Sequence, residues 1–504
     1  MHSRDPQKSD SEFQQEFETI LTEAADRNEV ADFTRYIFPS AQYAHREFKA
    51  RCWFDHAQFT QKANFEEAAF TQDAIFSHAT FGQNAIFDRA TFVQSAYFYG
   101  VTFTEKAHFC RARFMQDANF EEATFTQEAC FLLAEFTQKA NFKKATFAEV
   151  VHFIQAQFSA SAAFRETIFR GDKKRLEARL KELGLKLEPE TDDTLPGPVF
   201  SLAQFFHPEA IVFYKTYLGQ ALFHNCDISR VTFSSVEWRR RKPGGKRMVF
   251  EEVVGLGYPL TRDLEVQQDN EDDKKNAVDS DAAEHLKAGK NDHDERDYGL
   301  IAELYQQLKK NYDDRKDYWT AGDFHYGEME MKRRHSSSRR GWVRWLHENF
   351  GLAAWYRRFS AYGESYLRPF LWWLIVFFLF ALLLYPLAGL APPPSPSPSA
   401  APPAAAASAP PATTPQSSAP VPAIELSYRQ FGKFVQAHPG WAWFKSGPFF
   451  GHCLMTALSV GSLQREHEYE PSYPWGQLLA LVQLVFTSTL LALFLLALRR
   501  QFKR

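Results

Sequence analysis

The sequence predicts a β-solenoid followed by an α-helical linker hairpin and a two-helix α-helical transmembrane domain. Three observations carry that reading. Phenylalanine recurs at short, fixed intervals from Phe54 to Phe169. Two apolar runs, 369–390 and 477–498, reach the length that spans a bilayer. Between repeat and runs lie a charged stretch, 263–297, too poor in apolar groups to fold alone, and then a segment with leucines at helical spacing.

A chain of 504 residues has room for about three domains. Its 58 basic and 61 acidic residues nearly cancel, which gives no electrostatic reason to expect a nucleic-acid partner. The excess lies in phenylalanine: 49 Phe against 24 Gly implies a regular element that asks repeatedly for one large apolar ring. Cys52, Cys110, Cys130, Cys226 and Cys453 are dispersed and form no CxxC pair, which suits a reducing compartment. Residues 1–50 hold charged stretches but no continuous apolar core of a secretion signal, and are expected to form a helical or capping segment in the cytosol.

In the repeat, Phe stands at 54, 59, 65, 70, 76 and 81 and onward to 169, in steps that alternate five and six. A small residue sits two places before nearly every ring, as in Ala57/Phe59, Ala63/Phe65 and Ala68/Phe70, with Val101, Val151 and Thr167 as larger versions. A helix turning about 100° per residue would throw Phe59 about 140° away from Phe54, so no single apolar stripe survives. On a strand, residues i−2 and i share one face. A solenoid of short strands follows.

The A-x-F unit resembles the pentapeptide-repeat family, over 51–170 and again at Ala221/Phe223, Cys226/Ile228, Val231/Phe233 and Val236/Trp238. That resemblance implies a right-handed quadrilateral β-helix with four units to a coil. The extra residue in every second unit of the first block implies a coil of 22 residues, and the middle residues test it: positions 80, 102, 124 and 146 are all Thr. The same register sets Arg113 beside Glu135 and Asn119 beside Asn141. Soluble members of the family mimic DNA; the mixed charge here lacks the dense negative face that role requires.

One column of the repeat, His108, Cys130 and His152, has a metal-like composition. A fourth ligand is missing from it and Asn64 and Ile86 share the column, so no metal ligand is assigned. No cofactor and no catalytic residue is assigned either, since the chain has no phosphate-cradling glycine loop, no nucleophile elbow and no HExxH; an enzyme is not expected.

Residues 171–199 form a helical interruption, with Leu176, Leu180, Leu183 and Leu187 on one face, expected to cover the solenoid as a lid or cap. Further pentapeptide-type strands and an end segment occupy 200–262, including the basic patch 239–247. In 298–335, Leu300, Leu304 and Leu308, then Tyr318, Ala321, Phe324 and Met329, give a helical hairpin resembling segments that follow such repeats in bacterial membrane proteins, which implies a partner-docking module. Its Asp323, His325 and Glu328 read as a solvated face. Residues 339–368 mix Arg339, Arg340, Arg344, Arg357 and Arg358 with Trp342, Trp345, Phe350, Trp355 and Tyr356, the pattern of an interfacial helix.

Arg357, Arg358 and Arg368 precede the first apolar run, and Arg499, Arg500, Lys503 and Arg504 follow the second. Both termini are therefore expected in the cytoplasm of a bacterial inner-membrane, multi-pass protein, with the Pro/Ala/Ser-rich 391–446 outside. The apolar 447–463 is too short to cross and is expected to re-enter. Helix, re-entrant segment and helix in that order resemble the pore module of two-transmembrane-helix potassium channels. On that resemblance the pore-like candidates are Thr456, Ser459, Val460, Gly461 and Ser462, although Ser462 and Leu463 replace the filter's aromatic residue and second glycine. Gln483 and Thr487 on the second run are polar groups that avoid lipid. The expected partners are the lipid bilayer, another protein bound through solenoid or hairpin, and further copies of the chain, four if it is channel-like. The expected function is a cytosolic protein-binding solenoid coupled to a channel-like module; the alternative is a non-conducting membrane-tethered scaffold.

Overall fold

A computed structural model describes residues 10–185, 195–242, 245–254, 297–335, 349–385, 390–391, 447–461, 470–471 and 474–502. The chain separates into two units, Met1–Ser338 and Arg339–Arg504. The linker 263–296, the loop 392–446, Ser462 and the arginines and tryptophans between 339 and 348 lie outside the described residues.

In the first unit, each A-x-F triplet folds as a two-residue strand that pairs in parallel with the strand four units later. Thr80 pairs with Thr102, Thr102 with Thr124 and Thr124 with Thr146, so the 22-residue coil holds. Four parallel sheets of nine, six, seven and seven strands result. Small residues and Phe point inward together, and both are almost wholly buried. Rings from successive coils stack nearly parallel: Phe92 on Phe114 at 5.0 Å and 1°, Phe98 on Phe120 at 4.8 Å and 1°. Rings of adjacent faces meet edge-on, as Phe98 and Phe109 do at 86°, so each ring uses both preferred aromatic geometries. The small residue at i−2 leaves room for this, which explains why the repeat keeps alanine there.

The alternation of five and six has a local cause. Each five-step corner is a tight turn: Ala57 N donates to Phe54 O at 3.0 Å, and the residue before the alanine is left-handed. From His45 to Glu166 every such residue has φ between 54° and 60°, and only at Gly100 is it glycine. The six-step corner has one residue more and no such reversal.

The solenoid starts earlier than expected. Val30–Asp32 pairs with Arg51–Trp53, and Ile37–Phe38 with Gln58–Phe59, so a full coil lies inside 1–50. Ala31/Phe33, Phe38, Ala41/Tyr43 and Phe48 occupy the inward positions. The pattern is faint because Tyr43 replaces a phenylalanine and the step from Ile37 to Gln58 is one residue short. Ahead of this coil, α1 (Asp10–Arg27) closes the end of the stack: Phe17 lies on Tyr43 at 4.7 Å and Phe13 meets Phe38 edge-on. Arg46 and Glu18 pair beside it.

The interruption is a side excursion rather than a lid. Val151 pairs with Pro198, where a regular step would land on Lys173, so stacking resumes at 198 and not at Ala221. Phe200 stacks on Phe153, and Phe213 on Phe164. Within the insertion α2 (Lys173–Glu182) is capped by Asp172 and buries Leu176 and Leu180 against Ala148 and Ile168 on the flank. Leu187 lies outside the described residues. Steps after the insertion vary, 23 residues from Val199 to Leu222 and twenty from Phe213 to Phe233.

The far end is closed by the hairpin. The one-turn α3 (Glu251–Val254) leads, beyond 296, to α4 (Tyr298–Asp314) and α5 (Tyr318–His335). Tyr312 stacks on Phe233, and its hydroxyl accepts from Trp238 Nε1 at 2.9 Å. Asn311 Nδ2 donates to the carbonyls of Ile228, Ser229 and Val231, and Arg315 to those of Val231 and Phe233. These side chains satisfy the carbonyls that the last coil would otherwise present as an open edge. Gly327 lets the two helices meet closely, since a Cβ there would fall 2.4 Å from the Tyr305 ring. The apolar face of the hairpin thus packs into the core of the stack.

In the second unit the expected interfacial segment is described from 349 onward. Here α6 (Leu352–Ser360) ends in left-handed Ala361, Tyr362 and Gly363, with Gly363 N donating to Ser360 Oγ. Next, α7 (Leu367–Leu379) runs on as a π-turn through Phe380–Leu384, and α9 (Pro474–Phe502) lies beside it. Leu367–Leu384 and Gly476–Arg500 are long and apolar enough to cross a membrane. Arg500 Nη1 donates to Tyr362 O at 3.1 Å and pairs with Glu364, tying the end of α9 to the turn after α6.

Candidate functional site

The segment expected to re-enter as a filter-like strand is α8 (Gly447–Gly461), a helix. Thr456, Ser459 and Val460 lie within it and Gly461 ends it; Ser459 Oγ donates to the Thr456 carbonyl. The backbone carbonyls of Thr456 to Val460 are therefore wound into a helix and are not presented in an extended row. The physical reason is composition: an apolar stretch without the paired glycines of a filter satisfies its backbone most cheaply by coiling.

Gln483 and Thr487, both buried, are brought together with this helix. Gln483 Nε2 donates to Ala457 O at 2.8 Å, and its Oε1 accepts from the Tyr385 hydroxyl. One side chain thus joins the π-turn at the end of α7, α8 and α9. Thr487 Oγ1 donates back to Gln483 O at 2.8 Å. Phe380, Ala381, Cys453 and Ala457 pack around the node. Tyr385 was not among the expected residues. A tyrosine closing an apolar run was its only signal, and that reads equally well as an interfacial anchor.

The hairpin side chains with a catalytic look are held in ion pairs. Asp323 takes Arg247 at 3.1 Å and Lys246 at 3.5 Å. Burial opposes ionisation of Glu328, but His325, Lys332 and Lys309 outweigh it and hold the carboxyl well below its usual range. Glu251, on α3, is different. It is buried beside a cavity of about 240 Å³ between the last coil and α4, and burial raises its pKa from 4.5 to about 7. One oxygen accepts from Phe223 N; the other has no hydrogen-bond partner among the described residues.

On the solenoid, the outward columns are as the 22-residue register requires. Asn141 Nδ2 donates to Asn119 Oδ1 at 3.0 Å, and Arg113 lies 3.6 Å from Glu135. The Thr column splits: Thr80 and Thr102 are part-exposed, whereas Thr124 and Thr146 are buried. The column of metal-like composition, to which the sequence assigns no ligand role, keeps its register, with Cys130 between His108 and His152, and His152 Nε2 faces Glu128 at 3.2 Å.

Three overlapping segments, 54–102, 76–124 and 120–168, match the family model described as pentapeptide repeats (9 copies). No curated protein and no solved structure matches the chain.

Proposed function

We propose that this pentapeptide-repeat solenoid, a right-handed quadrilateral β-helix, is the protein-binding surface of a membrane-anchored scaffold, and that the C-terminal helices are its anchor. The observation that carries the reading is the use of Gln483. A pore lined by Gln483 and Thr487 would need their polar atoms turned toward water, whereas both are buried: Gln483 bonds across to the other two helical segments, and Thr487 bonds back to its own helix. The helical 447–461 supports the same reading. Apolar side chains such as Leu481, Val485 and Leu495 are exposed on α9, as a lipid-facing surface requires.

The partner is expected on the two faces that carry Trp53 and the Arg113–Glu135 pair, where exposed side chains of mixed charge stand in straight rows. Rigid, evenly spaced rows suit an extended protein surface, and their balanced charge favours neither DNA nor RNA. Planar-bilayer recordings of the purified full chain are the test. The expected result is silence at all voltages, together with a partner set in proximity labelling that is lost on reversing the charges of Arg113 and Glu135. A reproducible unit conductance abolished by Gln483→Leu would overturn the scaffold and favour a homotetrameric, channel-like module.

A further inference from the structure

One face of the solenoid gathers soft and borderline metal donors from three successive coils. His108 and Cys110 project from the same coil on either side of buried Phe109. Asp88 stands above Cys110, its Oδ1 accepting from Cys110 N at 2.8 Å. Cys130 stands below His108, its register partner. The donor atoms of Asp88, His108 and Cys110 all lie within 4.8 Å of one another. Cys130 also packs against the small buried cluster that contains Cys110. Asp88, His108 and Cys110 thus form a close triad, and Cys130 one coil on adds a second sulfur beside it.

We propose that Asp88, His108, Cys110 and Cys130 form a transition-metal site in the solenoid wall, and that the ion it fits is zinc(II). Two thiolates, an imidazole and a carboxylate make a tetrahedral set for a borderline-soft ion, whereas magnesium and calcium ask for oxygen alone. Coil stacking fixes backbone spacing at about 4.8 Å, so neighbouring coils deliver donors at near-ligand separation without folding around the ion. The hydrogen bond from Cys110 N to Oδ1 already orients the Asp88 carboxylate beside the other donors. Asn64, Ile86, Leu132 and Ile154 interrupt these columns, and of the other donor types in them Glu66 lies a coil before Asp88 and His152 a coil after Cys130. His152 stays out of the set because Glu128 holds it.

The test uses the full chain purified in detergent under reducing conditions, stripped with chelator, and titrated with cobalt(II) and then zinc(II). The expected result is one equivalent of cobalt with a thiolate-to-metal charge-transfer band, displaced by zinc. Cys110→Ser should abolish the band, Cys130→Ser should weaken it by one thiolate, and Asp88→Asn should weaken binding while keeping both thiolates. His45→Ala, at an exposed histidine elsewhere in the stack, should change nothing. Thermal unfolding checks folding: each variant should match the stripped wild type, and only the wild type and His45→Ala should gain the full rise with zinc. Absence of a stoichiometric thiolate band, or its survival in Cys110→Ser, would overturn the site. So would a Cys110–Cys130 disulfide that re-forms in preference to metal binding.

Discussion

The coils of 30–238 and the helices of 349–502 are held together by opposite means. In the coils one contact is copied: a phenylalanine stacked on the ring one coil away, flanked edge-on by the rings of adjacent faces. In the helices the polar contacts occur once, with Gln483 reaching Tyr385 and Ala457, and Arg500 reaching Tyr362. A repeated contact writes itself into the sequence as a period. A single contact leaves no period, and its residues look like isolated polar intrusions in an apolar run. The difference also predicts how each region fails. A copied contact fails locally between intact neighbours, whereas loss of a node frees every element it joins.

The largest expected effect lies in the middle of the stack. Phe120 is sandwiched between Phe98 and Phe142 and edged by Phe109 and Phe131, with no exposure. Phe120→Ala should cost about 3–5 kcal/mol through lost burial and a cavity that rigid neighbouring coils cannot fill. Hydrogen exchange on the full chain should show faster exchange in the coils adjoining residue 120, with the hairpin unchanged. Loss of protection in the hairpin as well would mean that the coils do not fail locally.

A comparable effect, conditional on pH, is expected at Glu251, where the last coil meets the cap. Its folded pKa, about 7, lies above the ordinary 4.5. Between these values the folded state holds a proton that the unfolded state has released, so stability falls as pH rises across that window and levels off above it. The full swing is about 3 kcal/mol. Glu251→Gln keeps an acceptor for Phe223 N and removes the titration. The variant should unfold with a flat pH profile, exceeding the wild type above neutrality; an unchanged profile would place the titration elsewhere.

This contrast explains what could be read in advance. The coil length, the Asn119–Asn141 pairing and the inward Phe were legible because each restates the 22-residue register. The first coil was hidden by Tyr43 and one short step. The stack after 198 was hidden by an insertion that displaces Pro198 from its expected place. The roles of Asn311 and Arg315 as end caps were illegible, since nothing local marks a side chain whose acceptors lie some eighty residues back. For the same reason Asp88 and Cys110 escaped a search along one column: they stand in the column beside it.

At the node, Gln483→Leu should cost about 0.6–2 kcal/mol, the range for a side-chain hydrogen bond between apolar helices. The cost should appear in an unusual place. With Tyr385 and Ala457 O losing one partner in common, limited proteolysis in detergent should speed cleavage on both sides of 447–461, while the coils keep their melting profile. Retained resistance would mean that apolar packing of Cys453 and Ala457 alone holds this helix.

The smallest effect is expected at the most conspicuous surface feature. Arg113 and Glu135 lie 3.6 Å apart with side chains about half exposed, so solvent screening leaves the pair little to contribute. A double-mutant cycle of Arg113→Ala and Glu135→Ala should return a coupling below about 1 kcal/mol that vanishes at high salt. If the row binds a partner, the same substitutions should weaken binding far more than they weaken the fold. That separation is what a scaffold surface on a self-sufficient core requires: the rings stabilise the coil, and the outward positions are left to vary. A large coupling that persists in salt would instead make the pair part of the solenoid's own structure.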